Sequence, residues 1–267
     1  MVCNMNYLDK EEISKILPND KGLEKWNLLL AYRGSVAHNL YIPSSEPNST
    51  DDVDLIGICI PSLDYYFGLK TYGSRGTVEI KENNLDIVIF EFKKLIQMLS
   101  GCNPNVLSLL WTKPEHFLNI TRAGQMLIDN RDLFLSKQVY EKFGGYAKGQ
   151  LAEMTKGAFK GFMGTKRKEL VNKFGFDPKN ASHLIRLLRM GDEILRTGQV
   201  NVWREDRDEL LSIKRGEWTL EQIKAESDRL FIRCEESSYI SKLPERTDMD
   251  KINQLSVDII KEFFNYE

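Results

Sequence analysis

The sequence predicts an α+β protein, α/β-like in its first half: a small mixed β-sheet with flanking helices, then a mostly helical C-terminal part. Three observations carry this. Short runs rich in β-branched and aromatic residues, bounded by turn formers, fill the chain up to about Pro114. Beyond that point strand signals thin out and apolar residues recur at helical spacing. Between the first two strands stands the strongest loop signal, Pro43-Ser44-Ser45-Glu46-Pro47-Asn48-Ser49-Thr50, placed where a loop can close over a bound molecule.

In chain order, a helix is expected across Leu8–Leu17, ended by Pro18, with a short one starting after Asn19-Asp20. Strands follow at Asn27–Arg33 and Asp52–Ile60, then at Thr77–Lys81 and Leu85–Phe92 after the glycine-rich turn Tyr72-Gly73-Ser74-Arg75-Gly76. The segment Phe92–Leu99 has helical spacing and stops at Ser100-Gly101, and Asn103-Pro104 opens another helix running to Leu110. Helices are then expected over Ala123–Asn130, Lys137–Met163, Ala181–Thr197, Leu220–Cys234 and Met249–Phe264. These patterns divide the chain into two domains, a mixed α/β domain at residues 1–115 and a helical domain at 116–267, without internal repeats or low-complexity tracts.

A chain of 267 residues that is 42% hydrophobic has enough apolar material for a real core. The formal net charge of −2 does not announce a nucleic-acid partner, so such binding has to come from a local patch. Cys3, Cys59, Cys102 and Cys234 are dispersed, without zinc-type spacing or a secreted disulfide framework, and read as reduced thiols. No basic stretch with an apolar core opens the chain, and no apolar run approaches the ~20 residues a membrane span needs. A cytoplasmic protein with no membrane partner is expected; the sequence does not speak to oligomeric state.

The chemistry concentrates in two pieces. The apolar run Leu28–Tyr32 ends in Arg33-Gly34-Ser35-Val36-Ala37-His38, which opens a short helix; Gly34 lets a phosphate approach main-chain N–H groups there. After the loop comes Asp51-Asp52-Val53-Asp54-Leu55-Ile56-Gly57. The strand period of two puts Asp52 and Asp54 on one face and Val53 and Leu55 on the other. Two carboxylates side by side repel unless a cation lies between them, and hard oxygen ligands at this spacing suit Mg²⁺. The pieces together describe a metal-dependent phosphoryl or nucleotidyl transfer site. Asp86, an acid between apolar residues at the start of its strand, is the best third carboxylate, with Glu79 and Glu91 as the other choices. Acidic residues at a loop exit are also common without function, and Asp51 competes with Asp52.

The order Gly34-Ser35, then Asp52-Val53-Asp54, then Leu85-Asp86-Ile87 resembles the DNA polymerase beta-like nucleotidyltransferase superfamily. The segments Cys102–Leu110 and Lys179–Gly191 resemble its branch of predicted nucleotidyltransferases linked with RNA repair, so that the likeness spans about Ala31 to Leu220. Two departures stand out: the loop between Ser35 and Asp52 is longer than usual, and His38 takes a position where many relatives carry an aromatic. The resemblance implies that Gly34 and Ser35 contact nucleotide phosphates while Asp52, Asp54 and Asp86 hold Mg²⁺ or Mn²⁺. It implies transfer of an NMP from an NTP to an acceptor hydroxyl with release of pyrophosphate. The expected acceptor is an RNA end, tRNA being one such; the alternatives are a protein or small-molecule hydroxyl, or an inactive RNA- or nucleotide-binding module.

Further along, His183 and Arg186 lie one helical turn apart with Arg189 a turn beyond, so one helix face offers donors to a nucleotide or RNA backbone. A histidine packed at a domain interface beside solvated arginines fits the same spacing. The segment 142–179 is basic, with Tyr146, Phe159, Phe162 and Phe174 interleaved, which suits a single-stranded partner; helical cores and solvated lysines also give that pattern. Gly161–Lys166 lacks the spacing and the preceding strand of a phosphate loop. His116 has no companion and reads as surface.

Overall fold

The computed structural model describes residues 27–43, 46, 53–82, 85–155 and 165–265. The helix expected over Leu8–Leu17, the residues Asp51 and Asp52, and the Lys156–Met163 end of the long helix lie outside the described residues.

Among the described residues five strands form one mixed sheet in the order β3-β4-β2-β1-β5. Strand β1 (Asn27–Tyr32) is buried along its whole length, as its uncharged sequence requires. It pairs antiparallel with β2 (Val53–Cys59) on one side and β5 (Phe117–Ile120) on the other. Strand β2 runs parallel to β4 (Leu85–Glu91), and β3 (Thr77–Glu82) closes the far edge antiparallel to β4. Strand β5 escapes the periodicity reading because four residues are too few to show it; the open edge of β1 recruits them.

The helices are α1 (Gly34–Ala37), α2 (Leu63–Phe67), α3 (Phe92–Ser100), α4 (Pro104–Leu107), α5 (Arg122–Asp129), α6 (Gln138–Thr155), α7 (Thr165–Phe174), α8 (Pro178–Thr197), α9 (Arg207–Lys214), α10 (Leu220–Ile240) and α11 (Met249–Asn265). Local chemistry sets several ends. Glu91 caps α3 by accepting from the N–H groups of Lys93 and Lys94. Asp177 caps α8 with Pro178 at its first position, and Gly198 ends it at φ +71. Thr219 and Gln222 form a reciprocal capping box at the start of α10.

Leu30, Tyr32, Leu55 and Ile87 pack with Val36 and Tyr72 on one side of the sheet. On the other side a single apolar cluster runs from Leu29, Ile56 and Ile58 through Phe92, Leu107 and Phe143 to Leu188 and Phe263. The sheet and the helical half therefore share one core. Helix α8 lies at its centre, and a Cβ on its Gly191 would stand 3.3 Å from Cβ of Phe143, so glycine lets α6 and α8 approach closely. Among the described residues no helix is long and apolar enough to cross a membrane.

Candidate active site

Parallel pairing of β2 with β4 sets Asp54 directly opposite Asp86. In-register neighbours share a face and lie about 4.8 Å apart in the backbone, so the two carboxylates meet. Arg33 Nη2 stands 3.7 Å from Oδ1 of each, and Lys81, across from Asp86 on β3, approaches its Oδ2 at 3.4 Å. Asp86 Oδ1 is buried without a hydrogen-bond partner. Paired hard carboxylate oxygens, one of them lacking a donor, fit a divalent cation such as Mg²⁺. Asp52, expected to complete the set, lies outside the described residues, and among the described residues no group of three or more His, Cys, Asp or Glu side chains is arranged to hold a metal ion.

Gly34 opens α1 at φ +62, and a Cβ built on it would lie 2.5 Å from Asp54 Oδ2. Left-handed backbone and lack of space both demand glycine. The consequence is close apposition of the Gly34-Ser35 main chain to a carboxylate of the pair. The Arg33 N–H donates to the Asp54 carbonyl at 2.9 Å, which fixes this bend against β2.

A cleft of about 1060 Å³ extends over this face of the sheet. Arg33, Gly34, Asp54 and Asp86 line it, together with His183 and Arg186 of α8. A smaller cavity of about 310 Å³ adjoins it, lined by Ser35, Lys179, Asn180 and Lys214 and sharing Gly34, His38, Asp54, His183 and Arg186 with the cleft. The expected site residues Gly34, Ser35, Asp54, Asp86, His183 and Arg186 thus surround adjoining cavities.

His38 connects the halves. Buried at 5% exposure, it places Nδ1 at 2.9 Å from the Val202 carbonyl and Nε2 at 2.7 Å from Arg186 Nη1. A carbonyl only accepts and a guanidinium only donates, so the ring is neutral with its proton on Nδ1. Burial, then the Arg186 charge, hold its pKa well below 6.5. Burial and Arg204 bring Arg186 down to about 9, which leaves it cationic at neutral pH. Among the described residues no carboxylate forms an ion pair with Arg186, which lines the cleft and whose charge Asp206 offsets only from a distance.

Several sequence readings need correction. Arg189 does not continue the donor face: it is enclosed by Asp206 at 2.8 Å, Glu209 at 2.8 Å and Glu226 at 3.2 Å. Glu91 is committed to capping α3 and accepts from the Tyr66 hydroxyl at 2.7 Å. His116 is buried, with Tyr32 edge-on and Trp203 tilted against it. Glu79 lines the cleft one row from Asp86, opposite Val88. Sequence reasoning passed over Arg33, Arg75, Lys81 and Lys94, all in the cleft; the unusual Arg33 immediately before Gly34-Ser35 was the one local signal. In the basic segment, Phe174 packs against the core and Lys148 and Lys173 lie over aromatic rings.

The family described as RlaP, RNA repair pathway DNA polymerase beta family, matches residues 27–258. No curated protein matches the chain. Among solved structures, a nucleotidyltransferase-like protein from Exiguobacterium sibiricum 255-15 is 12% identical with a TM-score of 0.30, over 86% of this chain and 74% of that one. The CD-NTase CdnG of Bradyrhizobium diazoefficiens, solved in complex with GTP, is 11% identical with a TM-score of 0.21, over 95% of this chain and 90% of that one. With its family matched over most of its length, the chain belongs to the RlaP family and is a polymerase beta-like nucleotidyltransferase.

Proposed function

We propose that this protein transfers an NMP from an NTP to the hydroxyl of an RNA end, with release of pyrophosphate, in the cytoplasm. One observation carries the reading: Asp54 and Asp86 stand in register beside Gly34, in a cleft that the cation Arg186 also lines. Asp54 and Asp86, with Asp52, would hold the divalent ion. When bound, Mg²⁺ or Mn²⁺ supplies positive charge to the phosphoryl oxygens and the attacking oxygen.

The chain's own groups do the rest. The Gly34-Ser35 main chain and Arg186, with His183 beside it, bind and orient the triphosphate. The acceptor oxygen forms a bond to the α-phosphorus as the bond from that phosphorus to the bridging oxygen breaks. Pyrophosphate leaves, and the hydroxyl proton passes to Asp86. Residues 1–115 are the catalytic part in this reading, and 116–267 close the cleft and select the acceptor. Buried thiols at Cys59, Cys102 and Cys234 suit a reducing compartment.

Incubation with each labelled NTP, Mg²⁺ and total cellular RNA tests the proposal. Label in RNA that disappears on adding EDTA is expected. Label in protein instead moves the acceptor, and no label above an Asp54→Ala control turns the chain into a binding module.

A further inference from the structure

We propose that Arg75 and Lys94, which both line the cleft and stand on the adjacent β3 turn and start of α3, form the subsite for a backbone phosphate of the acceptor, which is therefore an oligonucleotide end. This rests on the reading of the preceding subsection. Both side chains line the cleft, and neither pairs with a described carboxylate.

Their elements are locked together. Gly76, at φ +80, follows Arg75 in the turn before β3, and a Cβ on it would meet Lys94 Cβ at 3.2 Å. The Glu91 N–H donates to the Gly76 carbonyl at 2.9 Å, tying the turn to the start of α3.

Each cation occupies a locally unfavourable place. Arg75 adopts φ +53, a left-handed conformation that suits glycine, and observed strain of this kind is a reason to look for function. Lys94 stands in the first turn of α3, where the helix dipole repels positive charge; the Glu91 carboxylate offsets this only in part, being spent on backbone N–H groups and Tyr66. An anion between the two side chains relieves the second conflict and gives the first a purpose.

The sheet order supplies direction. In-line displacement puts the attacking and leaving oxygens on opposite sides of the phosphorus. With pyrophosphate leaving toward Gly34 and Arg186, the acceptor enters from beyond Asp86, and the next strand outward is β3. Glu79 also lines that side and Lys81 is drawn to Asp86, so Arg75 and Lys94 remain as the cations for a phosphate.

The test uses fluorescence anisotropy of a short 5′-fluorescein oligoribonucleotide with a free 3′-hydroxyl. Arg75→Gln/Lys94→Gln is compared with wild type and with Lys93→Gln, whose ammonium lies over the Tyr66 ring. The double variant is expected to bind RNA about tenfold more weakly, with the slope of log affinity against log salt shallower by about 0.7 for each lost phosphate contact. Lys93→Gln and the affinity for a non-hydrolysable NTP should stay within about twofold of wild type. Arg75→Gly separates binding from folding: relief of the left-handed strain raises the melting temperature while RNA binding still falls. Equal RNA binding by wild type and double variant overturns the subsite, as does a parallel loss of NTP affinity. Absence of label transfer by wild type, with RNA binding still dependent on Arg75 and Lys94, overturns the catalytic reading and supports the subsite.

Discussion

His38 Nε2 accepts a hydrogen bond from Arg186 Nη1 at 2.7 Å, across 148 residues of sequence. The neutral ring holds the guanidinium in place without cancelling its charge, which a carboxylate would do. Protonation of His38 would set an N–H against the arginine.

This arrangement makes stability pH-dependent. The folded His38 has its pKa held below 6.5, so its contribution is complete above that value and is lost as pH falls, because only the unfolded chain takes up the proton. Burial acts on His116 in the same direction. Urea melts between pH 7.5 and 5.5 should show stability dropping with a slope approaching about 1.4 kcal/mol per pH unit for His38 alone. The variant His38→Gln should flatten that slope; an unchanged slope refutes the assignment.

Asp54→Asn should lower NMP transfer by two to four powers of ten, about 3–5 kcal/mol, with thermal stability nearly unchanged. The carboxylate is part-exposed and opposes a like charge on Asp86, so removing it leaves no cavity. Asp86→Asn should behave alike. Labelled-NTP assays beside thermal melts decide it, and wild-type turnover in either variant removes the site.

Gly34→Ala should destabilise the fold by roughly 2 kcal/mol from its left-handed backbone, with more from the contact with Asp54. Gly145→Ala makes the contrast. That glycine is inside α6 with nothing within 4 Å of a Cβ, and the change should stabilise by about 0.5–1 kcal/mol. Denaturant titration of both variants checks the pair, and a tolerated Gly34→Ala contradicts the geometry described for the bend.

Arg204 joins the segment after α8 to its neighbours, reaching both Glu193 oxygens at 2.7 Å and Asp206 at 2.7 Å. Arg204→Met should cost about 2–3 kcal/mol, below the range for a fully buried pair, because Glu193 and Asp206 are part-exposed and Asp206 keeps Arg189. The loss should include weaker NTP binding, since the Arg204 N–H approaches the His38 carbonyl and Asn39 holds the Arg204 carbonyl. A melt within 0.5 kcal/mol of wild type, a span typical of surface changes, contradicts this.

By itself the sequence determined what is local: strand periodicity, helix caps, the glycine-serine bend, and acids placed singly between apolar residues at Asp54 and Asp86. Those signals lie within a few residues of each other, and backbone geometry converts them directly into structure. It underestimated Pro178 and Ile240 as helix ends and missed β5, where short or capped segments carry little periodicity. Only the tertiary structure decided that Asp54 faces Asp86, that His38 rather than a carboxylate holds Arg186, and that Arg189 is consumed by three acids. Strand order and helix docking make those contacts between residues far apart in the chain, and no local pattern records which distant group each side chain meets.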